Sequence, residues 1–398
     1  MDQAPASGIY LKDKPRQNSQ RTTQSIEAPL AQDVTPPSER SYAMEQFLRL
    51  SGWDKAERVS LGQDASTRSY TRLVKAGHSV LLMDAPRLEA PVAPLKATTA
   101  ERKALGWNAT ARLAACRIDA FVCVGTYLAS LGLSVPKVYA FDVGGGFALV
   151  EDFGPNVFAQ ALKCADPSEE IGFYRQTGQA LAVVYNAGVP AELMHRGLSW
   201  PVFQYDRLAL EGSVDLFFDW QPKYDPAVRL TEADRLEWEA LTDGLIVQAL
   251  QSPRAFTVRD VMSENLIWLP ERQGVKRVGF LDFQDALAGW ASWDFAMLIQ
   301  DARRDVGPEA AAAAIKAFLD DTGLSEAAFK QELAILGAIN ALRILGVFAR
   351  LVWRDGKPKY AVFMAREWNH LRSCLKHPAL SELDAFLRDR CKPLAETP

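Results

Sequence analysis

Histidine is scarce in this 398-residue chain: His78, His195, His370 and His377 are the whole complement. No two stand at metal-ligand spacing, and no HExxH occurs, so a sequence-local histidine zinc site is not expected. Cysteine is equally unhelpful. Cys116, Cys123, Cys164, Cys374 and Cys391 are scattered, odd in number and without a CxxC pair. Neither a disulfide framework nor a zinc site is expected; free thiols in a reducing cytoplasm are. There is no GxSxG elbow and no GxxxxGK[ST] loop. No uninterrupted apolar run approaches the roughly 20 residues that span a bilayer. The first residues, with Asp2, Lys12, Asp13 and Lys14, lack the apolar centre of a signal peptide. No membrane association is expected. A strong charge of one sign is also missing. Lys+Arg 45 against Asp+Glu 49 gives a net charge of -4, which argues against a nucleic-acid partner.

What is present is an ordinary globular composition, 48% hydrophobic and 24% charged, on a chain long enough for two lobes. Residues 1–40 are rich in Gln, Ser, Thr and Pro and are expected to be a disordered tail. A short helix is expected from Ser41 towards Ser51. Strands follow at 59–61, 69–74 and 79–83, with the small polar loop Gly62–Thr67 between the first two. Residues 87–115 read as an insertion. A helix over 117–131 leads to a hairpin, 136–141 and 147–150, around Gly144, Gly145 and Gly146. No helix follows those glycines, so they form a turn rather than a phosphate loop. Beyond about 155 the pattern is mostly helical, interrupted by strands at 256–258, 265–269 and 277–281. Helices are expected at 308–321, 325–350, 358–375 and 380–390. The fold class is α+β and bilobal: an antiparallel-sheet N-lobe over 41–152 and a helical C-lobe over 153–398.

Chemistry concentrates in Val258-Arg259-Asp260-Val261-Met262-Ser263-Glu264-Asn265 and in Leu281-Asp282-Phe283-Gln284-Asp285. An Asp, an Asn five residues on, and an Asp after one β-hairpin suit phosphoryl transfer. The first Asp can accept the proton of an attacking hydroxyl. The Asn and the second Asp are hard oxygen ligands for Mg²⁺ on nucleotide phosphates. Singly, each residue fits an ordinary turn, cap or surface carboxylate. In order, with apolar strands between them, they point to one site.

These stretches resemble the aminoglycoside phosphotransferase/choline kinase family, whose fold is protein-kinase-like. Within it the chain is most similar to the bacterial anomeric kinases of N-acetylmuramate and N-acetylglucosamine. Further matching segments are Leu61–Tyr70, Leu82–Pro86, Leu149–Gly154 and Leu345–Leu351 with Arg354–Lys357. The resemblance implies ATP and Mg²⁺ as cofactors and a small hydroxyl acceptor, an amino sugar in cell-wall recycling. Gly62, Asp64, Ala65, Ser66 and Thr67 would form the nucleotide loop, and Val150, Glu151 and Phe153 the adenine hinge. Asp260 would be the catalytic base, and Asn265 and Asp282 the metal ligands. Gln284 and Asp285 would reach the sugar or the metal's water, with Glu211 a further acceptor contact. Asp294 would brace the catalytic loop.

Several positions depart from the family pattern. Val258 stands where the loop usually opens with histidine. Val261, Met262 and Glu264 replace the usual acceptor-side residues. Met83 stands where protein kinases place a phosphate-binding lysine, as it does in the anomeric kinases, leaving Arg68, Arg72 and Lys96 as candidates for that charge. Trp200, Trp220, Trp290 and Trp293 are expected to pack in the core. Another acceptor, such as an aminoglycoside or choline, and a non-catalytic nucleotide-binding role are the competing readings. The sequence leaves the oligomeric state open.

Overall fold

The computed structural model describes residues 37–61, 68–86, 97–104, 114 and 116–395. Residues 1–36 of the expected tail and most of the insertion lie outside them. Helix α1 (Pro37–Leu50) begins inside the stretch read as tail. Proline is well suited to a first helical turn, where its missing N–H is not needed. The N-lobe sheet contains β1 (Glu57–Ser60), β2 (Ser69–Lys75), β3 (His78–Asp84), β4 (Val138–Asp142) and β5 (Phe147–Glu151), in the order β1-β2-β3-β5-β4, every neighbour antiparallel. Between β3 and β4 run α2 (Thr99–Ala104), in the insertion, and α3 (Ile118–Ser130).

The sheet is covered on both faces, and the two-residue period decides which side chain goes where. Leu82, Phe147 and Leu149 meet Phe47 and Leu48 of α1. Met83, Ala148 and Val150 face the main core with Phe121 and Val124 of α3. The triple glycine is a turn, as expected. Gly146 has φ +74°, and a Cβ there would sit 2.3 Å from the Ala85 carbonyl oxygen. Arg40 of α1 pairs with Asp84 and donates to the Gly145 carbonyl oxygen, tying helix, strand and turn together.

The C-lobe starts with α4 (Phe158–Ala161), α5 (Pro167–Asn186), the hairpin β6 (Glu192–His195) and β7 (Leu198–Pro201), α6 (Arg207–Tyr224) and α7 (Arg235–Gln251). Short strands follow: β8 (Ala255–Thr257), β9 (Leu266–Trp268), β10 (Val278–Phe280) and β11 (Leu287–Gly289). They pair as β8 with β11 and β9 with β10. Helices α8 (Ala291–Ile299), α9 (Pro308–Thr322), α10 (Glu326–Trp353), α11 (Met364–Cys374), α12 (Ser381–Arg390) and α13 (Lys392–Ala395) complete the chain. The helix expected over 358–375 is split, because Pro358–Phe363 winds as a 3₁₀ segment before α11. By length and apolarity α10 could cross a membrane, but most of it is buried inside the C-lobe. It packs along α6, and α5 packs along α9.

The α10–α6 contact depends on Gly346, where a Cβ would lie 2.3 Å from the Leu216 carbonyl carbon. Backbone cannot yield as a flexible side chain does. Gly346→Ala is therefore expected to destabilise by about 1–3 kcal/mol, read as a lowered thermal midpoint. An unchanged midpoint would show that the helices can separate freely.

Candidate active site

Two adjacent turns hold the candidate residues. The first runs from β8 to β9 and holds Asp260 and Asn265; the second runs from β10 to β11 and holds Asp282, Gln284 and Asp285. Pairing of β9 with β10 sets the turns side by side, and the Leu281 N–H donates to the Asn265 carbonyl oxygen at 2.8 Å. Arg259 and Asp282 both have positive φ, +85° and +54°. Such backbone strain in non-glycine residues persists only where surrounding contacts enforce it.

Asp294 on α8 supplies part of that enforcement. Its two carboxylate oxygens accept the Val258 and Arg259 backbone N–H groups at 2.9 and 2.7 Å. Burial pushes its carboxyl up to about 7, while the two donors pull the other way. The loop thus has a firm support although Val258, buried and apolar, can donate nothing from its side chain. Asp301 adds a second anchor, accepting the Ser263 N–H at 3.0 Å and the Ser263 hydroxyl at 2.5 Å.

Asp260, Asn265 and Asp282 line one cleft of about 700 Å³ between the lobes. The Asn265 amide nitrogen donates to the Asp260 carbonyl oxygen at 3.0 Å, which leaves its Oδ1 as an acceptor. Among the described residues no cluster of three or more His, Cys, Asp or Glu is arranged to hold a metal. Two oxygen ligands, with phosphate and water completing the shell, are what magnesium commonly takes from a protein, so the residues fit that ion.

The other expected site residues divide. Val150 and Phe153 line the cleft, with Leu81 and Ile267 beside them, giving it an apolar wall. Glu151 also borders it, but its carboxylate is engaged by Arg272 at 2.9 Å and by the Lys137 N–H at 3.2 Å. Gln284 is buried and donates to Asp282 at 3.0 Å. Asp285 faces Arg259 at 3.3 Å. Burial pushes its carboxyl up to about 7 against the pull of Arg259, with Asp260 and Asp282 adding to the rise. Gly62, Asp64, Ala65, Ser66 and Thr67 lie outside the described residues. Glu211 is not brought to this cleft. Helix α6 turns Leu210, Val214 and Phe217 into the core. Glu211 then lies 3.6 Å from Arg207, in a hollow shared with Asp215, Glu239 and Asp243.

The missing strand lysine is clarified by geometry. Met83 is buried, and the Tyr70 hydroxyl lies 3.3 Å from its sulfur. Arg72 turns to Asp152, 2.5 Å away. Arg68 enters the cleft, pairs with Asp282 and donates to Gln284 at 2.6 Å. Lys96 lies outside the described residues. Trp200, Trp290 and Trp293 are fully buried core residues, and Trp220 is partly buried against the C-lobe helical core that contains Phe217 and Phe348.

A model of the phosphotransferase enzyme family matches residues 58–330, more than half of the chain. The chain belongs to the phosphotransferase enzyme family. It is 44% identical over 363 residues to the N-acetylmuramate/N-acetylglucosamine kinase of Caulobacter vibrioides, spanning 91% of this chain and 99% of that one. The protein of the same name from Pseudomonas putida is 27% identical, over 87% and 93% of the two chains. Among solved structures, a choline/ethanolamine kinase family protein from Mesorhizobium loti superposes with a TM-score of 0.54 at 14% identity, over 88% and 99%. This likeness shows the bilobal fold. The family member described here is a phosphotransferase acting on a hydroxyl.

Behind the site, Glu367 of α11 is buried, and neither of its carboxylate oxygens has a hydrogen-bond partner. Burial pushes its carboxyl up to about 8, against the opposing charge of Arg343. The folded state therefore holds a proton that the unfolded chain releases near pH 4.5. Stability from this group is full below that pH and is lost as pH rises through about 8. Glu367→Gln keeps the shape and removes the titration. It is expected to stabilise by about 1–3 kcal/mol at pH 9 and by little at pH 5, measured by denaturant unfolding at both pH values. An equal effect at both would contradict the assignment.

Proposed function

We propose that this phosphotransferase moves the γ-phosphoryl group of ATP to the anomeric hydroxyl of N-acetylmuramate or N-acetylglucosamine. The observation that carries the reading is the 44% identity, over nearly the full length of both chains, to a kinase of those sugars. In this reaction the sugar oxygen attacks phosphorus, the bond from phosphorus to the ADP oxygen breaks, and the hydroxyl proton passes to the Asp260 carboxylate. Phosphoryl transfer asks little covalent chemistry of the protein, so positioning and charge dominate. Asp294 fixes the loop that presents Asp260. Val150 and Phe153 hold the base. A magnesium ion held by Asp282 and Asn265 would neutralise triphosphate charge when bound. Arg68 takes the part of the absent strand lysine. No disulfide joins any of the five cysteines, which is in keeping with a reducing, cytoplasmic setting.

The test is direct. Purified protein is mixed with ATP, Mg²⁺ and either sugar, and both ADP and the remaining reducing sugar are measured. Phosphorylation at the anomeric carbon removes the reducing end, so the two signals should change together. ADP release with the reducing end intact would move the acceptor to another hydroxyl. Nucleotide binding without turnover would favour a non-catalytic role. Arg68→Met is expected to lower kcat/KM for ATP by roughly 10²–10³-fold, with the sugar KM changed far less. An ATP dependence like that of the unaltered protein would return the lysine's role to another residue.

A further inference from the structure

We propose that Arg303 recognises a carboxylate on the acceptor, and so separates N-acetylmuramate from N-acetylglucosamine within one site. The proposal rests on the amino-sugar reading above. Both sugars carry the same anomeric hydroxyl and acetamido group. They differ in the lactyl ether of the muramate, which ends in a carboxylate. A cation on the acceptor side would be engaged by one sugar and left in place by the other.

Three arginines line the cleft among the described residues: Arg68, Arg72 and Arg303. Arg68 is directed at Asp282 and Gln284, and Arg72 at Asp152. Both point to the nucleotide side. Arg303 stands on the C-lobe wall, in the turn after α8. Its backbone N–H donates to Asp301 Oδ1 at 2.9 Å, while Asp301 Oδ2 accepts from Ser263 of the catalytic loop. The base of this arginine is thus fixed to the loop that carries Asp260. Its head is less committed. Nε lies 2.8 Å from Glu264 Oε2, Nη1 lies 3.3 Å from the Met262 sulfur, and the guanidinium is 5.8 Å from the Phe363 ring centre.

The Arg303 and Glu264 side chains are 27% and 43% exposed. An ion pair this open to water stabilises little, so a ligand carboxylate can take the place of Glu264 at small cost. The guanidinium fork suits a carboxylate because it can donate two parallel bonds. Without that ligand group Glu264 keeps the charge neutralised, and a neutral sugar meets no unpaired cation. Arg343 is a poorer candidate: it is turned inward, donates to Asn340 Oδ1 at 2.7 Å and lies over Trp293.

Steady-state kinetics with both sugars, on the unaltered protein, Arg303→Gln and Arg303→Lys, test this. In Arg303→Gln the ratio of kcat/KM for N-acetylmuramate to that for N-acetylglucosamine should fall roughly ten- to hundredfold. The change should lie in KM for the muramate. Arg303→Lys should recover part of the ratio, and the effect should shrink at high salt. An equal loss on both sugars, an unchanged ratio, or a rise confined to the KM for ATP overturns the proposal. Turnover of neither sugar by the unaltered protein overturns the amino-sugar reading along with it. Turnover of both with the ratio unmoved by Arg303→Gln overturns this proposal alone.

Discussion

Asp260→Asn is expected to lower kcat by roughly 10²–10⁴-fold, the usual contribution of a positioned general base. ATP affinity should stay within about threefold, because the lost group acts on the acceptor proton rather than on the nucleotide. The exchange is nearly isosteric. The bonds that shape the loop come from the Asp260 main chain, whose carbonyl accepts from the Asn265 side chain and the Met262 N–H. Asp294 also holds the loop independently of the Asp260 side chain. A variant that keeps its thermal midpoint and its nucleotide binding but loses turnover is the expected result. Retained turnover would remove Asp260 from the proton transfer.

Asp282→Ala should be as damaging for a different reason. It removes a carboxylate proposed to hold the divalent ion, so charge on the triphosphate goes unneutralised in the transition state. Loss of such stabilisation commonly costs about 10²–10³-fold in kcat. The distinguishing sign is the metal titration: half-saturating magnesium should rise by at least roughly tenfold. The side chain is 37% exposed, and in the free protein its charge is shared with Arg68. The apo variant should therefore fold. Unaltered magnesium dependence would contradict the ligand assignment even if activity fell.

The convergence of the candidate site residues on one cleft was legible because the signal is local. Asp260, Asn265 and Asp282 lie on two turns joined by one short hairpin, so spacing alone brings them together. The bilobal architecture was legible for a similar reason: β2, β3, β4 and β5 are seven, seven, five and five residues long, rich in β-forming residues and separated by glycine-containing turns or helical segments. Strand β11 was missed. Leu287-Ala288-Gly289 is too short for any period, and its pairing with β8 is purely tertiary. The start of α1 was also missed, since Pro37, Ser38 and Glu39 continue the composition of the polar segment before them.

Long-range partners were not legible. Arg68, Arg72 and Lys96 were equal candidates for the missing lysine. Arg68 stands out only because the fold brings it to Asp282, 214 residues away. The Arg259–Asp285 contact joins the two site turns by the same route. Glu211 was an expected acceptor contact only through the family resemblance. Which face α6 buries was decided by its packing on α10, and that face excludes Glu211 from the cleft. Arg303 gave no sequence signal: it is one arginine beside another, and only its approach to Glu264 and the cleft distinguishes it from Arg304.

The most direct test of the account is calorimetric titration of the protein with ATP, with and without Mg²⁺, repeated on Asn265→Ala and Asp282→Ala. The account predicts nucleotide uptake that strengthens with magnesium and loses that coupling in both variants. Binding indifferent to the ion in the unaltered protein, or coupling that survives both substitutions, would contradict it.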